Sequence, residues 1–392
     1  MQQVRPAILD GRLEAPPPLG LYVHIPWCVR KCPYCDFNSH GVRGDIPEAR
    51  YIDALIRDLE QAVPSVWGRE VSSIFFGGGT PSLFSPEGID RLLTQCRTLL
   101  RVSPVAEITL EANPGTFEAV RFQGYRDAGV NRLSLGIQSF NPHHLQALGR
   151  IHDEREARTA AEQAIDLFER VNLDLMYALP GQSIGQVGHD LETALALGPG
   201  HLSAYHLTLE PNTPFAAAPP TLPDDDLAAD MQIRVEETLA AAGYGHYETS
   251  AFARPGQQCR HNLNYWTFGD YLGIGAGAHG KLSFHDRLER QARVKHPRAY
   301  MEAVEAGVGF IAETRRLERG DRAFEFMMNA LRLNEGFELA LFTTRTGLAT
   351  QALASGLDKA VTQGLVERDL HRVTPTQQGR RFLNELLQLF LA

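Results

Sequence analysis

A chain of 392 residues, 43% hydrophobic and 22% charged, has ordinary globular composition and room for two or three domains with sizeable cores. Its net charge of −9 argues against a nucleic-acid binder, whose footprint is a basic stripe. No apolar run approaches the roughly 18 residues of a membrane span, and the first twenty residues carry Asp10, Arg12 and Glu14 where a signal peptide would be apolar. The expected location is therefore the cytoplasm, with no membrane span, a peripheral membrane contact staying open.

Residues 1–19 read as a loose, Pro-rich lead-in. An apolar run over residues 21–25 predicts a first strand, and a loop carrying Cys28, Cys32 and Cys35 leaves its C-terminal end. From Glu48, the residues Ile52, Leu55, Ile56, Leu59 and Val63 mark one face of a helix. Strand two covers residues 71–76 and ends in Gly77-Gly78-Gly79-Thr80-Pro81. In the helix after it, Cys96 shares an apolar face with Leu92, Leu93 and Leu99 and reads as a small buried hydrophobe. Strand three covers 107–112, with a helix near 118–128. Strand four covers 132–138, with a helix over 153–169. Strand five covers 171–177, with a helix from Ile184, and strand six covers 201–207. Six β-then-α units in a row argue for parallel strands with right-handed helical crossovers. The count fits an incomplete barrel or a doubly wound sheet.

Beyond Leu209 the cadence changes. Residues 211–226 are a Pro-rich acidic linker, a helix carries Leu227, Met231, Val235 and Leu239, and 243–285 read as irregular, aromatic and Gly-rich. A helix begins near Asp321, and the tail alternates helical segments with a hairpin over 365–373 and a last helix near Thr376. That order resembles a winged helix. Residues 336–392 hold six Lys/Arg against five Asp/Glu, too little positive charge for a DNA reader, so a packing or docking role is expected. The resulting division is a lead-in (1–19), a barrel (20–215), an accessory, barrel-closing region (216–320) and a C-terminal winged-helix-like domain (321–392).

Three of the five cysteines fall within eight residues, spaced C-x3-C-x2-C, at the end of strand one. An odd number of cysteines in a reducing cytosol suits ligation better than disulfides. Chance clustering of core cysteines fits poorly with a loop rich in Pro, Lys, Arg and Asp. A structural zinc site needs four ligands, so three cysteines would need a partner such as His24 or His40. An iron–sulfur cluster takes thiolates as its usual ligands, and three of them on a four-iron cluster leave one iron open for a small molecule.

This spacing, with Tyr34 just before the last cysteine, resembles the signature of the radical S-adenosylmethionine (SAM) family. The resemblance implies a [4Fe–4S] cluster on Cys28, Cys32 and Cys35 whose open iron binds SAM. It implies an electron donor able to reduce that cluster, and a fold that is a partial (β/α)6 barrel. Ligand sites in such folds lie at the C-terminal ends of the strands. The polar residues there resemble the SAM-contacting set of the family's porphyrin-handling branch. Carried over by motif, the set is Tyr22, Tyr34, Gly78, Gly79, Thr80, Glu111, Gln138, Arg150 and Asp174, with Ala204 matching more loosely.

Two groups of that branch compete. The oxygen-independent coproporphyrinogen III oxidases of heme synthesis carry a fourth cysteine two positions after the third, where this chain has Phe37, and a longer extension before the loop. The heme chaperones lack these, and His261-Asn262-Leu263-Asn264-Tyr265-Trp266 resembles their H-N-x-x-Y-W segment. This resemblance implies a protein that binds the cluster, SAM and heme and delivers heme to acceptor proteins such as respiratory enzymes. Oxidase activity is not expected, and whether SAM is cleaved stays open. His261 is then the candidate heme ligand, since a neutral imidazole is a common axial ligand. Cys259 reads as an ordinary thiol. Residues 273–280, Gly-rich but lacking a surrounding βαβ unit, are expected to close the barrel mouth, with His279 a secondary candidate for a ligand contact.

Overall fold

The computed structural model of the chain describes residues 11–115 and 120–391. The first ten residues of the lead-in and the expected helix start at Glu118 lie outside the described residues. Strands β1 (Leu19–Ile25), β2 (Glu70–Gly78), β3 (Arg101–Ala112), β4 (Arg132–Gln138), β5 (Arg170–Tyr177) and β6 (His201–His206) run parallel and are hydrogen-bonded in that order. They form the expected partial (β/α)6 barrel. Strand β1 is buried at six of seven positions, as a strand covered on both faces must be.

The crossovers are helices α1 (Glu48–Val66), α2 (Pro86–Leu99), α3 (Phe122–Ala128), α4 (Pro142–Ala147), α5 (Glu154–Leu167) and α6 (Ile184–Leu197). Their starts are chemically marked. Ser85 caps α2 by accepting from the Gly88 N–H, while Asp153 with Glu156 and Ser183 with Gln186 form reciprocal capping boxes on α5 and α6. The apolar faces of the larger helices pack against the sheet in one continuous core that includes Leu55, Leu92, Cys96, Ala161 and Leu191.

After α7 (Asp225–Ala241) the chain keeps adding to the same sheet, and residues 243–285, expected to be irregular, supply much of it. Strands β7 (Gly245–Glu248) and β8 (Ala251–Ala253) extend it beyond β6 in antiparallel fashion. Helix α8 (Arg260–Trp266) carries the H-N-x-x-Y-W segment. Strand β9 (Asp270–Ile274) pairs in parallel with the free side of β1, followed by antiparallel β10 (His279–Ser283), β11 (Leu288–Arg293) and β12 (Ile311–Arg316). Among the described residues this makes one twelve-stranded sheet, ordered β12-β11-β10-β9-β1-β2-β3-β4-β5-β6-β8-β7. Period-two hydrophobicity is weak here because the strands do not alternate: β8 is buried at every position and β12 is exposed at every position.

A buried ion pair locks the added strands to the barrel. Asp58 of α1 accepts from Arg293 of β11 at 3.0 Å, from the Tyr300 hydroxyl of α9 (Pro297–Ala306) at 2.8 Å and from the Gly275 N–H at 3.3 Å. Both charges are excluded from solvent, and only such full pairing makes that burial tolerable.

The C-terminal domain has its own core, built from Phe326, Phe337, Phe342, Leu357 and Val373. Helix α10 (Arg319–Ala330) leads into a three-stranded sheet of Phe337–Glu338, Val366–Arg368 and Arg372–Pro375, with short helices between and after, giving a winged-helix-like arrangement. The lead-in is not loose where it is described. Leu13 is buried in this second core, and the Gly11 carbonyl accepts from Arg322 at 2.8 Å.

Candidate functional site

The cysteine loop is held at the barrel mouth by backbone. Trp27 and Cys28 pair with His40 and Gly41, the Gly79 N–H donates to the Ile25 carbonyl at 2.8 Å, and the Thr80 N–H donates to the Trp27 carbonyl at 2.7 Å. Gly78 adopts a φ of +114°, and a Cβ on Gly79 would lie 2.5 Å from the Trp27 carbonyl oxygen. The triglycine run is therefore needed first for clamping the loop and only then for admitting a ligand. On the opposite side, the Asn38 amide donates to the Ala276 and Lys295 carbonyls at 2.9 Å each, so residues 275–278 close against the loop.

Cys28, Cys32 and Cys35 are free, half-buried thiols within electrostatic reach of one another. Burial pushes the Cys28 thiol up, and the Thr80 hydroxyl opposes that with a hydrogen bond. The Arg150 guanidinium stands 3.7 Å from Cys32 Sγ. Its other nitrogen donates to Asn113 Oδ1 and to the Gly136 carbonyl at 2.7 Å each, and Asn113 Nδ2 donates to Thr80 Oγ1 at 3.2 Å. A donor chain Arg150–Asn113–Thr80 thus spans the loop from Cys32 to Cys28. Among the described residues, no three Cys, His, Asp or Glu side chains converge as a single metal ion requires. The donor set itself, three unpaired thiols beside a cation and a hydroxyl, fits a multi-iron cluster that spreads its thiolate contacts.

Further members of the expected set gather around the same end. Tyr34 packs with Leu148, Met176, Leu179 and Leu207. Glu111, at the end of β3, accepts from the Gly78 N–H at 3.3 Å. Burial and the neighbouring Asp174 raise its carboxyl to about 8. Asp174 accepts from Asn172 at 2.9 Å and Ser134 at 3.1 Å, yet burial still raises it. Gln138 closes β4 with a φ of +69°, a left-handed backbone costing about 1–2 kcal/mol in a non-glycine residue. Tyr22 points into the barrel, its hydroxyl 3.1 Å from His24 Nδ1 and its ring stacked on Phe75.

Two members stand apart. Ala204 packs in the main apolar core, so only its backbone can face the interior, and its N–H is already donated to the Ser250 carbonyl at 2.8 Å. His261 lies deeper, toward the N-terminal end of the barrel, its ring stacked on Phe75 at 5.1 Å and 6.5 Å from the Tyr22 ring. Its Nδ1 is 2.8 Å from Ser73 Oγ, its Nε2 is 2.8 Å from the Tyr265 hydroxyl, and its N–H donates to Glu107 at 3.1 Å. Ser73 is five residues before Gly78 on β2, roughly 16 Å along the strand. The ring is 1% exposed, and burial pushes it down to about 3, so it is neutral. Helix α8 therefore plugs the N-terminal end of the barrel. Cys259 sits in the same plug, fully buried, 3.6 Å from Glu107.

Asn113 was not singled out from the sequence. Its role depends on partners 33 and 37 residues away, and the only local hint is its place just after β3, where sites in this architecture form.

Residues 22–194 match the Radical SAM superfamily and residues 317–382 match the HemN C-terminal domain. The chain is similar to the heme chaperone HemW of Escherichia coli, with 50% identity over 96% of this chain and 99% of that protein. It is likewise similar to the heme chaperone HemW of Mycobacterium tuberculosis, with 35% identity over 98% of each. Among solved structures, the coproporphyrinogen III oxidase HemN of Escherichia coli superposes with a TM-score of 0.82 over 99% of this chain and 96% of that one, at 24% identity, a likeness of fold. None of the helices described is long and apolar enough to cross a membrane. Matched over nearly its whole length by these relatives, the chain belongs to the HemW family within the radical SAM superfamily.

Proposed function

We propose that this protein is a heme carrier of the cytoplasm that binds a [4Fe–4S] cluster, SAM and heme, and hands heme to acceptor proteins such as respiratory enzymes. The observation that carries the reading is the half-identity, end to end, with a protein named a heme chaperone. Cys28, Cys32 and Cys35 would hold the cluster, which supplies an iron able to bind SAM and an electron able to cleave it. Tyr22, Tyr34, Gly78, Gly79, Thr80, Glu111, Gln138, Arg150 and Asp174 would surround SAM, with Ala204 offering backbone alone. An electron donor is required only if SAM is cleaved in the working cycle. Phe37, 60% exposed, stands where the related oxidases have a fourth cysteine, which supports carrying a porphyrin over oxidising one.

The test is transfer. The full chain loaded with heme is mixed with an apo heme protein, and the acceptor's absorption spectrum is followed. Transfer faster than from free heme is expected, together with no consumption of coproporphyrinogen. Steady conversion of coproporphyrinogen to a divinyl product would put the oxidase reading in its place.

His261 has a separate test. With both ring nitrogens hydrogen-bonded, it would have to give up Ser73 or Tyr265 to reach an iron. We place it as a plug residue. His261→Ala is expected to lower the free energy of unfolding by about 2–4 kcal/mol, through a cavity and two orphaned hydroxyls. Heme affinity in the folded variant should be unchanged. A denaturant titration and a heme titration on the same preparation check both halves, and a lost heme band in folded protein would restore His261 as ligand.

A further inference from the structure

A one-way chain of hydrogen bonds crosses the barrel interior from the start of helix α8 to Asp174. The Asp174 carboxylate is half-buried and accepts from Asn172 Nδ2 at 2.9 Å and from the Ser134 hydroxyl at 3.1 Å. Asn172 Nδ2 also donates to Ser134 Oγ at 2.8 Å. An ionised carboxylate only accepts, so the Asn172 amide stands in one orientation, with Oδ1 turned away from Asp174. That oxygen meets His201 Nδ1 at 2.6 Å and accepts from the Ser203 hydroxyl at 3.1 Å. His201 Nδ1 must then carry the ring proton, which leaves Nε2 a bare acceptor. The Tyr247 hydroxyl, 2.7 Å away, donates to it. Tyr247 in turn accepts at 3.2 Å from the N–H of Cys259, the residue just before α8. Every donor along the path points toward Asp174.

The surrounding charges require the same polarity. Glu107 of β3 is held by Arg170 of β5 at 3.1 Å. Arg132 of β4, 2% exposed, lies within electrostatic reach of Glu107 and Asp174. With Glu107 committed to Arg170, this second buried cation is balanced when Asp174 is ionised. The other groups facing Asp174 do not supply that charge, since Glu111 of β3 is protonated at pH 7 and Tyr205 of β6 is a neutral phenol. His201 is neutral as well, because burial, then Arg132 and Arg170, hold its pKa well below the ordinary value. Only a neutral ring can accept from Tyr247 while donating to Asn172. Resting on the SAM-binding reading above, we infer that Asn172, His201 and Tyr247 are positioning residues of the SAM site, which hold the Asp174 carboxylate ionised and in one orientation. They act through Asp174, and the chain ties the start of α8 to the SAM site.

The test is a double-mutant cycle read as SAM affinity, by calorimetry on the full chain with its reconstituted cluster, iron content serving as the check on folding. Tyr247→Phe keeps the ring and removes the donor, so His201 is free to move its proton to Nε2 and Asn172 to turn over. SAM binding is expected to weaken roughly three- to tenfold, the worth of one hydrogen bond, with normal cluster iron. Asp174→Asn should weaken SAM by itself. In that background Tyr247→Phe should cost nothing further, because members of one network do not add. Asn172→Asp supplies an independent arm, since it sets a second carboxylate against Asp174. It should bind SAM about tenfold more weakly at pH 8, with the deficit shrinking toward pH 6 as the pair takes up a proton. If the wild type binds no SAM, the SAM reading falls and the positioning role with it. If it binds, and Tyr247→Phe matches it or loses the same factor in both backgrounds, the positioning role alone is overturned. An Asn172→Asp deficit that is absent or constant with pH overturns it too.

Discussion

Alanine at Cys28, Cys32 or Cys35 is expected to take anaerobically reconstituted iron from about four atoms per chain to near zero. Each thiol would supply one of only three protein contacts, and neither remaining cysteine is placed to stand in. Cys96 is buried in the helix layer and Cys259 in the plug, while His24 is bonded through both ring nitrogens, to Tyr22 and to the Asn38 carbonyl. Iron and sulfide analysis of the single variants checks this, and one variant retaining four irons would remove that cysteine from the ligand set. A subtler result is expected at Arg150. Arg150→Met leaves the three thiols in place but removes a cation 3.7 Å from Cys32 Sγ. A reduced cluster carries one more negative charge, so losing that cation destabilises the reduced form and makes the potential more negative. For one electron, each tenfold change corresponds to about 59 mV. Asn113→Ala, which frees Arg150 and Thr80 together, should shift the potential the same way with iron content intact.

What the sequence reveals here follows the range of the signal. The cysteine spacing, the Gly-rich run and the β/α cadence are local patterns, and all appear where expected. Cys96, on a helical face of leucines, is buried as its neighbours predict. The Arg150–Asn113–Thr80 chain is invisible locally because its members come from three loops that only the closed barrel brings together. The plug is harder still. His261 resembles a ligand in a motif, but its partners Ser73 and Glu107 lie 188 and 154 residues away, and nothing in the segment says which end of the barrel it fills. Strands β7 to β12 are hard to see in the sequence because they are short and several do not alternate, β8 being wholly buried and β12 wholly exposed. The barrel-closing role expected of residues 273–280 has a structural counterpart in the bonds from Asn38 to the Ala276 and Lys295 carbonyls.

Glu111 should make SAM binding depend on pH. Its carboxyl sits at about 8, raised by burial first and by Asp174 second, against an ordinary value of 4.5. Without ligand the group is therefore protonated at pH 7. A ligand ammonium placed against it favours the ionised form, so binding expels a proton and affinity rises with pH. We expect the Kd for SAM to fall by up to tenfold per pH unit from about 6 to 8 and to level off above that. Calorimetry in buffers of different ionisation enthalpy should find close to one proton released per SAM at pH 6.5. Stability without ligand moves the other way. Between 4.5 and about 8 the folded state holds a proton that the unfolded chain has lost, so stability is full below 4.5 and declines as pH rises through 8. The interval corresponds to roughly 5 kcal/mol at most. Glu111→Gln keeps an acceptor for the Gly78 N–H but cannot ionise. It should flatten both pH profiles, make the ligand-free protein more stable at pH 8, and weaken SAM by about 1.5–3 kcal/mol, the worth of a hydrogen bond to a charged group. A variant that binds SAM as tightly as the wild type with the same proton release would place the titrating carboxyl elsewhere, with Asp174 the next to test.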